Sequence, residues 1–277
     1  MTQHLTVDGG TLAYDVTGDS GPLIVLAHGL GDSRQAYRFV APELAAAGYR
    51  VATLDLRGCG ESSAQWPSYT QEAIADDLLA LVQHLGGPAT LVGHSFAGGA
   101  ATIAAVKRPS LVTALIEVGP FTRKQQVALG DLRVAGYRRG ALLLGRAGMF
   151  GSVTAWKKYL ELAYPGPKPA DWDARMGRID AMLREPGRMK AFRSMVRAGA
   201  AEAGAQLANV RCPVLVVQGG LDSDWVSPED EGKAIVAALP TGLGRLVVVP
   251  GAGHYAHVQF PAQVVSEVLA FLTSARA

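Results

Sequence analysis

Six short apolar runs, each closed within a few residues by Gly, Asp or Pro, set the tightest limit on how this chain can fold. They are residues 23–27 (LIVLA), 51–54 (VATL), 90–92 (TLV), 114–118 (ALIEV), 214–217 (VLVV) and 246–249 (LVVV). Strand-sized segments rich in β-branched residues, with little polar alternation, are the signature of strands buried on both faces. Between them lie stretches of helical periodicity. In residues 71–85, Ile74, Leu78, Leu81, Val82 and Leu85 share one face. Strands alternating with helices predict an α/β fold with a mainly parallel sheet. The opening differs, with two alternating runs around Gly9-Gly10 that predict an antiparallel hairpin. Of the 277 residues, 49% are apolar and 18% charged, which suffices for a sizeable core and argues against disorder.

The alternation stops over residues 121–208. Helical stretches rich in Ala, Leu, Met and Arg take its place, broken by the turn-forming Pro165-Gly166-Pro167-Lys168-Pro169. The expected organisation is a core of residues 1–120 and 209–277, with a helical insertion of residues 121–208 between two core strands. The insertion holds 16 Lys and Arg against 7 Asp and Glu, formally +9, while the rest of the chain is formally −7. Two readings of that charge stand side by side. One is a solvated face on exposed helices; the other is a lid that draws anionic substrates or an acidic partner.

Several function classes fall away. A net charge of +2, with no basic run interleaved with aromatics, argues against a nucleic-acid partner. No apolar run is long enough to span a bilayer, and no basic leader precedes an apolar stretch at the start, so a cytoplasmic location is expected. Cys59 and Cys212 lack the CxxC spacing of a zinc or redox site.

The strongest local signal is residues 91–100, LVGHSFAGGA. An apolar strand leads into a serine flanked by small residues, and an Ala-rich helix follows. A strand-to-helix turn this tight admits only small side chains two positions either side of the serine. Gly93 and Ala97 meet that demand, Ala97 replacing the usual Gly. The turn exposes the Ser95 hydroxyl and aims helix-start N–H groups at developing negative charge.

A serine hydroxyl needs a base. His254 follows the last strand in Pro250-Gly-Ala-Gly-His-Tyr and is the preferred candidate, with His257 as its competitor. His4 and His84 read as surface residues, His94 as pointing away at the turn, and His28 as structural. The base needs an orienting acid. Asp222, nearer the end of its strand, is preferred to Asp224, and Glu117 comes third. Either aspartate could instead serve a turn or cap the helix that begins near Pro228. The oxyanion donors would be the backbone N–H groups of Phe96, directly after the serine, and Leu30, in the His28-Gly29-Leu30 loop.

Together His28-Gly29, Asp55-Leu-Arg-Gly-Cys-Gly-Glu-Ser62, Gly93-His-Ser-Phe-Ala-Gly98, Gly220-Leu-Asp222 and Gly253-His254 resemble the landmarks of the α/β-hydrolase superfamily, in its order Ser, Asp, His. The resemblance covers nearly all of residues 5–275 outside the insertion. It implies a mostly parallel eight-stranded sheet and a helical cap over the active site. It also implies acyl transfer through Ser95 on a small substrate bearing a carbonyl, with no metal or organic cofactor. Members that open epoxides or remove halogen carry Asp at the elbow, so Ser95 points to an ester or lactone. The same triad serves carbon–carbon hydrolases of diketone-like metabolites, perhydrolases and acyltransferases, and slow-turnover receptors of this fold. Specificity would rest with cap residues such as Trp156, Tyr159, Trp172 and Met195.

Overall fold

The computed structural model describes residues 1–125 and 128–275. All six apolar runs are strands. The eight strands are β1 (Gln3–Val7), β2 (Gly10–Thr17), β3 (Leu23–Ala27), β4 (Arg50–Leu54), β5 (Ala89–His94), β6 (Val112–Val118), β7 (Val214–Gly219) and β8 (Gly244–Val249). They form one sheet in the order β1-β2-β4-β3-β5-β6-β7-β8. β1 and β2 are the expected antiparallel hairpin, β2 also runs antiparallel to β4, and every other pairing is parallel.

The continuous apolar character of the inner strands follows from helices on both faces. Alternate residues point to opposite sides. Leu23, Val25, Leu91, Leu115 and Val216 pack against α2 (Gln71–His84) and α3 (Phe96–Lys107) through Ile74, Leu78, Ala97 and Ala101. Ile24, Leu26, Val92, Ile116 and Leu215 face α1 (Val40–Ala46) and α11 (Pro261–Ser274), meeting Leu44, Val264 and Val268. Thr70 caps α2, its hydroxyl accepting from the Ala73 N–H at 3.2 Å.

Between β6 and β7 the described residues contain no strand. They form α4 (Ala135–Phe150), α5 (Val153–Ala163), α6 (Trp172–Arg184), α7 (Arg188–Ala198) and α8 (Ala201–Gln206). These helices have an apolar centre of their own around Trp156, Tyr159, Leu160, Ile179 and Phe192. Arg38, just before α1, grips Asp171 through two bonds of 2.6 Å and ties this layer to the core. α9 (Pro228–Ala238) follows β7, and the short α10 (Ala256–Gln259) precedes α11.

The loop after β4 shows why its motif takes these residues. Asp55 is fully buried and accepts from the backbone N–H groups of Arg34 at 2.6 Å and Glu61 at 2.8 Å, and it pairs with the Arg34 guanidinium. Ser62 closes the loop, its hydroxyl donating to the Asp55 carbonyl at 2.6 Å. The Leu56 N–H then donates to His28 Nε2 at 3.1 Å, fastening this loop to the one that carries Leu30. Removing Asp55 would leave Arg34 only its outer partners Asp15 and Glu61 and would strand the Arg34 and Glu61 backbone N–H groups. Asp55→Ala should therefore destabilise the protein by about 3–5 kcal/mol, read as a lowered midpoint in urea unfolding; an unchanged midpoint would show that the Arg34 cluster does not depend on Asp55.

Candidate active site

The turn between β5 and α3 holds Ser95 at φ 55°, ψ −121°, the one non-glycine with positive φ among the described residues. Such strain persists only where the surroundings over-determine it. Here the Ser95 N–H donates to the Val118 carbonyl at 2.9 Å, and its own carbonyl accepts from Gly98 at 2.9 Å and Phe121 at 3.0 Å. Gly93 is required, because a Cβ there would stand 2.4 Å from the Ala97 carbonyl oxygen. Ala97 itself is fully buried, so its methyl is accommodated at the elbow.

His254 sits in the loop after β8. Its backbone N–H donates to the Ala163 carbonyl at 3.0 Å, and its carbonyl accepts from His94 Nε2 at 3.1 Å. Gly253 allows the approach: a Cβ there would lie 2.2 Å from the Ala163 oxygen. His254 Nδ1 donates to Asp222 Oδ2 at 2.8 Å. Asp222 in turn accepts the Asp224 N–H at 3.0 Å through Oδ1. Asp224 Oδ2 lies 3.4 Å from the same His254 nitrogen and accepts the Tyr159 hydroxyl at 2.6 Å. All four side chains are buried. Burial alone would lower the His254 pKa, but the two carboxylates, Asp222 first, outweigh it and push it up to about 9. Burial pushes Asp224 above the usual carboxylate range, against the pull of His254.

The other histidines are accounted for otherwise. Burial pushes His257 down to about 3, and among the described residues its ring nitrogens meet no carboxylate; it lies 5.0 Å from the Tyr37 ring. His28 is held to about 4, chiefly by burial, and since Nε2 accepts from Leu56, Nδ1 carries the proton and donates to the Gly29 carbonyl at 2.7 Å. His4 and His84 are exposed, His84 within 3.0 Å of the Tyr14 hydroxyl. Glu117 is bound by the Thr102 and Thr122 hydroxyls rather than by His254, and burial pushes it to about 7.

A cavity of about 210 Å³ opens above Ser95 and His254. Leu30 and Phe96 line it next to Ser95. From the helices between β6 and β7 come Leu144, Trp156, Tyr159 and Met195, whereas Trp172 packs on Tyr164 instead. Asp224, weighed as the second choice of acid, also lines the cavity, as do Phe121 and Tyr255, which sequence reasoning did not single out. Among the described residues, the one cluster with metal-ligand donors is Asp222, Asp224 and His254, within 4.8 Å of one another. The 2.8 Å contact between Asp222 and His254 is a hydrogen bond, too short for an ion between them.

Residues 22–261 match the family described as alpha/beta hydrolase fold. The chain belongs to that family. It is 28% identical to a 2-(acetamidomethylene)succinate hydrolase from Mesorhizobium japonicum, over 96% of this chain and 94% of that one. Bifunctional epoxide hydrolase 2 from Rattus norvegicus reaches 36% identity, but over 34% of this chain and 18% of its own length. Among solved structures, a thermophilic esterase from Thermogutta terrifontis superposes with a TM-score of 0.78 at 25% identity, covering 100% of both chains. The chain is thus an α/β-hydrolase, an enzyme whose family includes this hydrolase and this esterase. No helix among the described residues is long and apolar enough to cross a membrane.

The two carboxylates facing His254 generate a measurable expectation. Imidazole nitrogen shifts followed by NMR should show His254 charged through neutral pH, with a midpoint near 9. Asp222→Asn should move that midpoint down by about 1–3 pH units, as loss of an adjacent opposite charge does. A midpoint near 6.5 in the wild type would mean that the carboxylates do not govern this ring.

Proposed function

We propose that this α/β-hydrolase is a serine enzyme acting on small carboxylic esters or lactones through an acyl-enzyme on Ser95. One observation carries the reading: the Ser95 elbow and His254 share one cavity, and the far nitrogen of His254 is held by buried Asp222. In this scheme the Ser95 hydroxyl attacks the carbonyl carbon as His254 takes its proton. Asp222 keeps Nδ1 protonated and stabilises the imidazolium. The Phe96 and Leu30 N–H groups bear the oxyanion. Collapse expels the alcohol, which receives the proton from His254. Water, deprotonated by the same ring, then attacks the acyl carbon and releases the acid and Ser95.

Residues 121–208 act as the cap in this reading. They contribute the apolar wall of Leu144, Trp156 and Met195 over the nucleophile. A cavity this small and apolar suits a short acyl group better than a long chain. Serine at the elbow separates the chain from the aspartate pattern of epoxide-opening members, despite the partial match to one of them.

A fluorophosphonate probe should label the wild type and leave Ser95→Ala unlabelled. Turnover of short-chain p-nitrophenyl esters should fall by about 10⁴-fold or more in that variant. Equal labelling of both would overturn the assignment. Cleavage of a diketone with no turnover of any ester or lactone would replace it with carbon–carbon hydrolysis. Because only neutral His254 accepts a proton, kcat/KM should climb from pH 7 towards the midpoint near 9; a flat profile across that range would remove His254 as the base.

A further inference from the structure

α4 packs chiefly on α5 and α7, and its outer face is left uncovered. Its inner side is buried through Tyr137, Gly140, Leu143, Ala147 and Gly148. Arg138, Leu142, Arg146 and Met149 follow one another at helical spacing along the opposite side, with Arg139 and Phe150 beside them. All six are exposed, and Leu142, Met149 and Phe150 are 59%, 65% and 76% accessible. Scattered single apolar residues on a surface need no explanation, but three large ones on one helix face do.

The stripe is also purely cationic. Neither α4 nor α7 contains an Asp or Glu. On α7, Lys190, Arg193 and Arg197 share a line, and Arg193 reaches across to the Gly148 and Met149 carbonyls at 3.2 and 2.7 Å, joining the two faces. None of Arg138, Arg139, Arg146, Lys190, Arg193 and Arg197 forms an ion pair within the described residues. Much of the +9 of residues 121–208 is therefore unneutralised and gathered on one side.

We infer that the outer face of α4 and α7 docks on an anionic lipid bilayer, Leu142, Met149 and Phe150 entering the headgroup boundary while the arginines and lysine pair with lipid phosphates. Charge complementarity selects an anionic partner, and the interleaved apolar side chains select lipid over nucleic acid. A polyphosphate backbone rewards only the cations, whereas a bilayer also buries the apolar chains. No spanning helix is required. The same two helices line the cavity from within through Leu144, Met195 and Val196, so docking would hold the cavity wall against the membrane.

Sedimentation with vesicles tests this on the full chain. Mixed phosphatidylglycerol–phosphatidylcholine vesicles should bind the protein at least about tenfold better than phosphatidylcholine alone, and high salt should weaken the binding. The triple variant Arg138→Gln/Arg139→Gln/Arg146→Gln and the triple variant Leu142→Ser/Met149→Ser/Phe150→Ser should each lose about tenfold on the anionic vesicles. Both should keep the wild-type thermal unfolding temperature and fluorophosphonate labelling, which shows that the fold and Ser95 are intact. Failure to sediment, equal binding to both lipids, or wild-type binding by both folded variants would overturn the inference. So would a concentration-dependent dimer that the Leu142→Ser/Met149→Ser/Phe150→Ser variant abolishes, without any vesicle binding, or retention on duplex DNA but not on vesicles.

Discussion

The strained turn at Ser95 is the constraint around which the rest of the molecule is arranged. A non-glycine residue at positive φ costs on the order of 1–3 kcal/mol, so the turn survives only between elements that cannot move. β5 is one such element, an interior strand hydrogen-bonded to β3 and β6 and covered on both faces. α3 is the other, ten of its twelve residues buried, Gly98 and Gly99 among them. The Val118 carbonyl and the Phe121 N–H then hold the serine backbone from the neighbouring strand end. Local strain is balanced by a large, regular core.

The same arrangement explains why the other candidate site residues gather where they do. In the parallel part of the sheet all strands point one way, so the loops after β3, β5, β7 and β8 emerge at one edge. Leu30, Ser95, Asp222 and His254 each lie within a few residues of a strand end. Ligand sites in open α/β sheets form at that edge for this reason. The loops are not left to themselves. The Asp55 cluster fastens the His28 loop through Leu56, and His94 grips the His254 carbonyl.

The helices between β6 and β7 do more than line the cavity. Tyr159 from α5 donates to Asp224, and the end of α5 offers the Ala163 carbonyl to the His254 N–H. The electrostatic setting of His254 is thus completed by residues far away in the chain. Two carboxylates around one imidazole raise its pKa despite full burial, and the orientation of the second depends on a tyrosine from outside the sheet.

What the amino-acid order determined by itself was whatever depends on local periodicity and local crowding. Six apolar runs identified the parallel strands, Gly9-Gly10 the hairpin, and Gly93, Ser95 and Ala97 the elbow, because strand burial and turn sterics act over a few residues. Asp222 and His254 were candidates from their places just beyond strands, and their side chains meet in a hydrogen bond of 2.8 Å. Tertiary structure alone decided how closely Asp222 and Asp224 each approach His254. Only two residues apart, both lie within reach of His254, and the distinction of 2.8 against 3.4 Å is set by where the loops after β7 and β8 meet and by the hydroxyl of Tyr159. It also decided that Trp156, Tyr159 and Met195 face the cavity while Trp172 does not. On a helix packed on one side and wet on the other, an aromatic residue reads the same in sequence whichever neighbour it meets, because the partner is supplied by a distant segment.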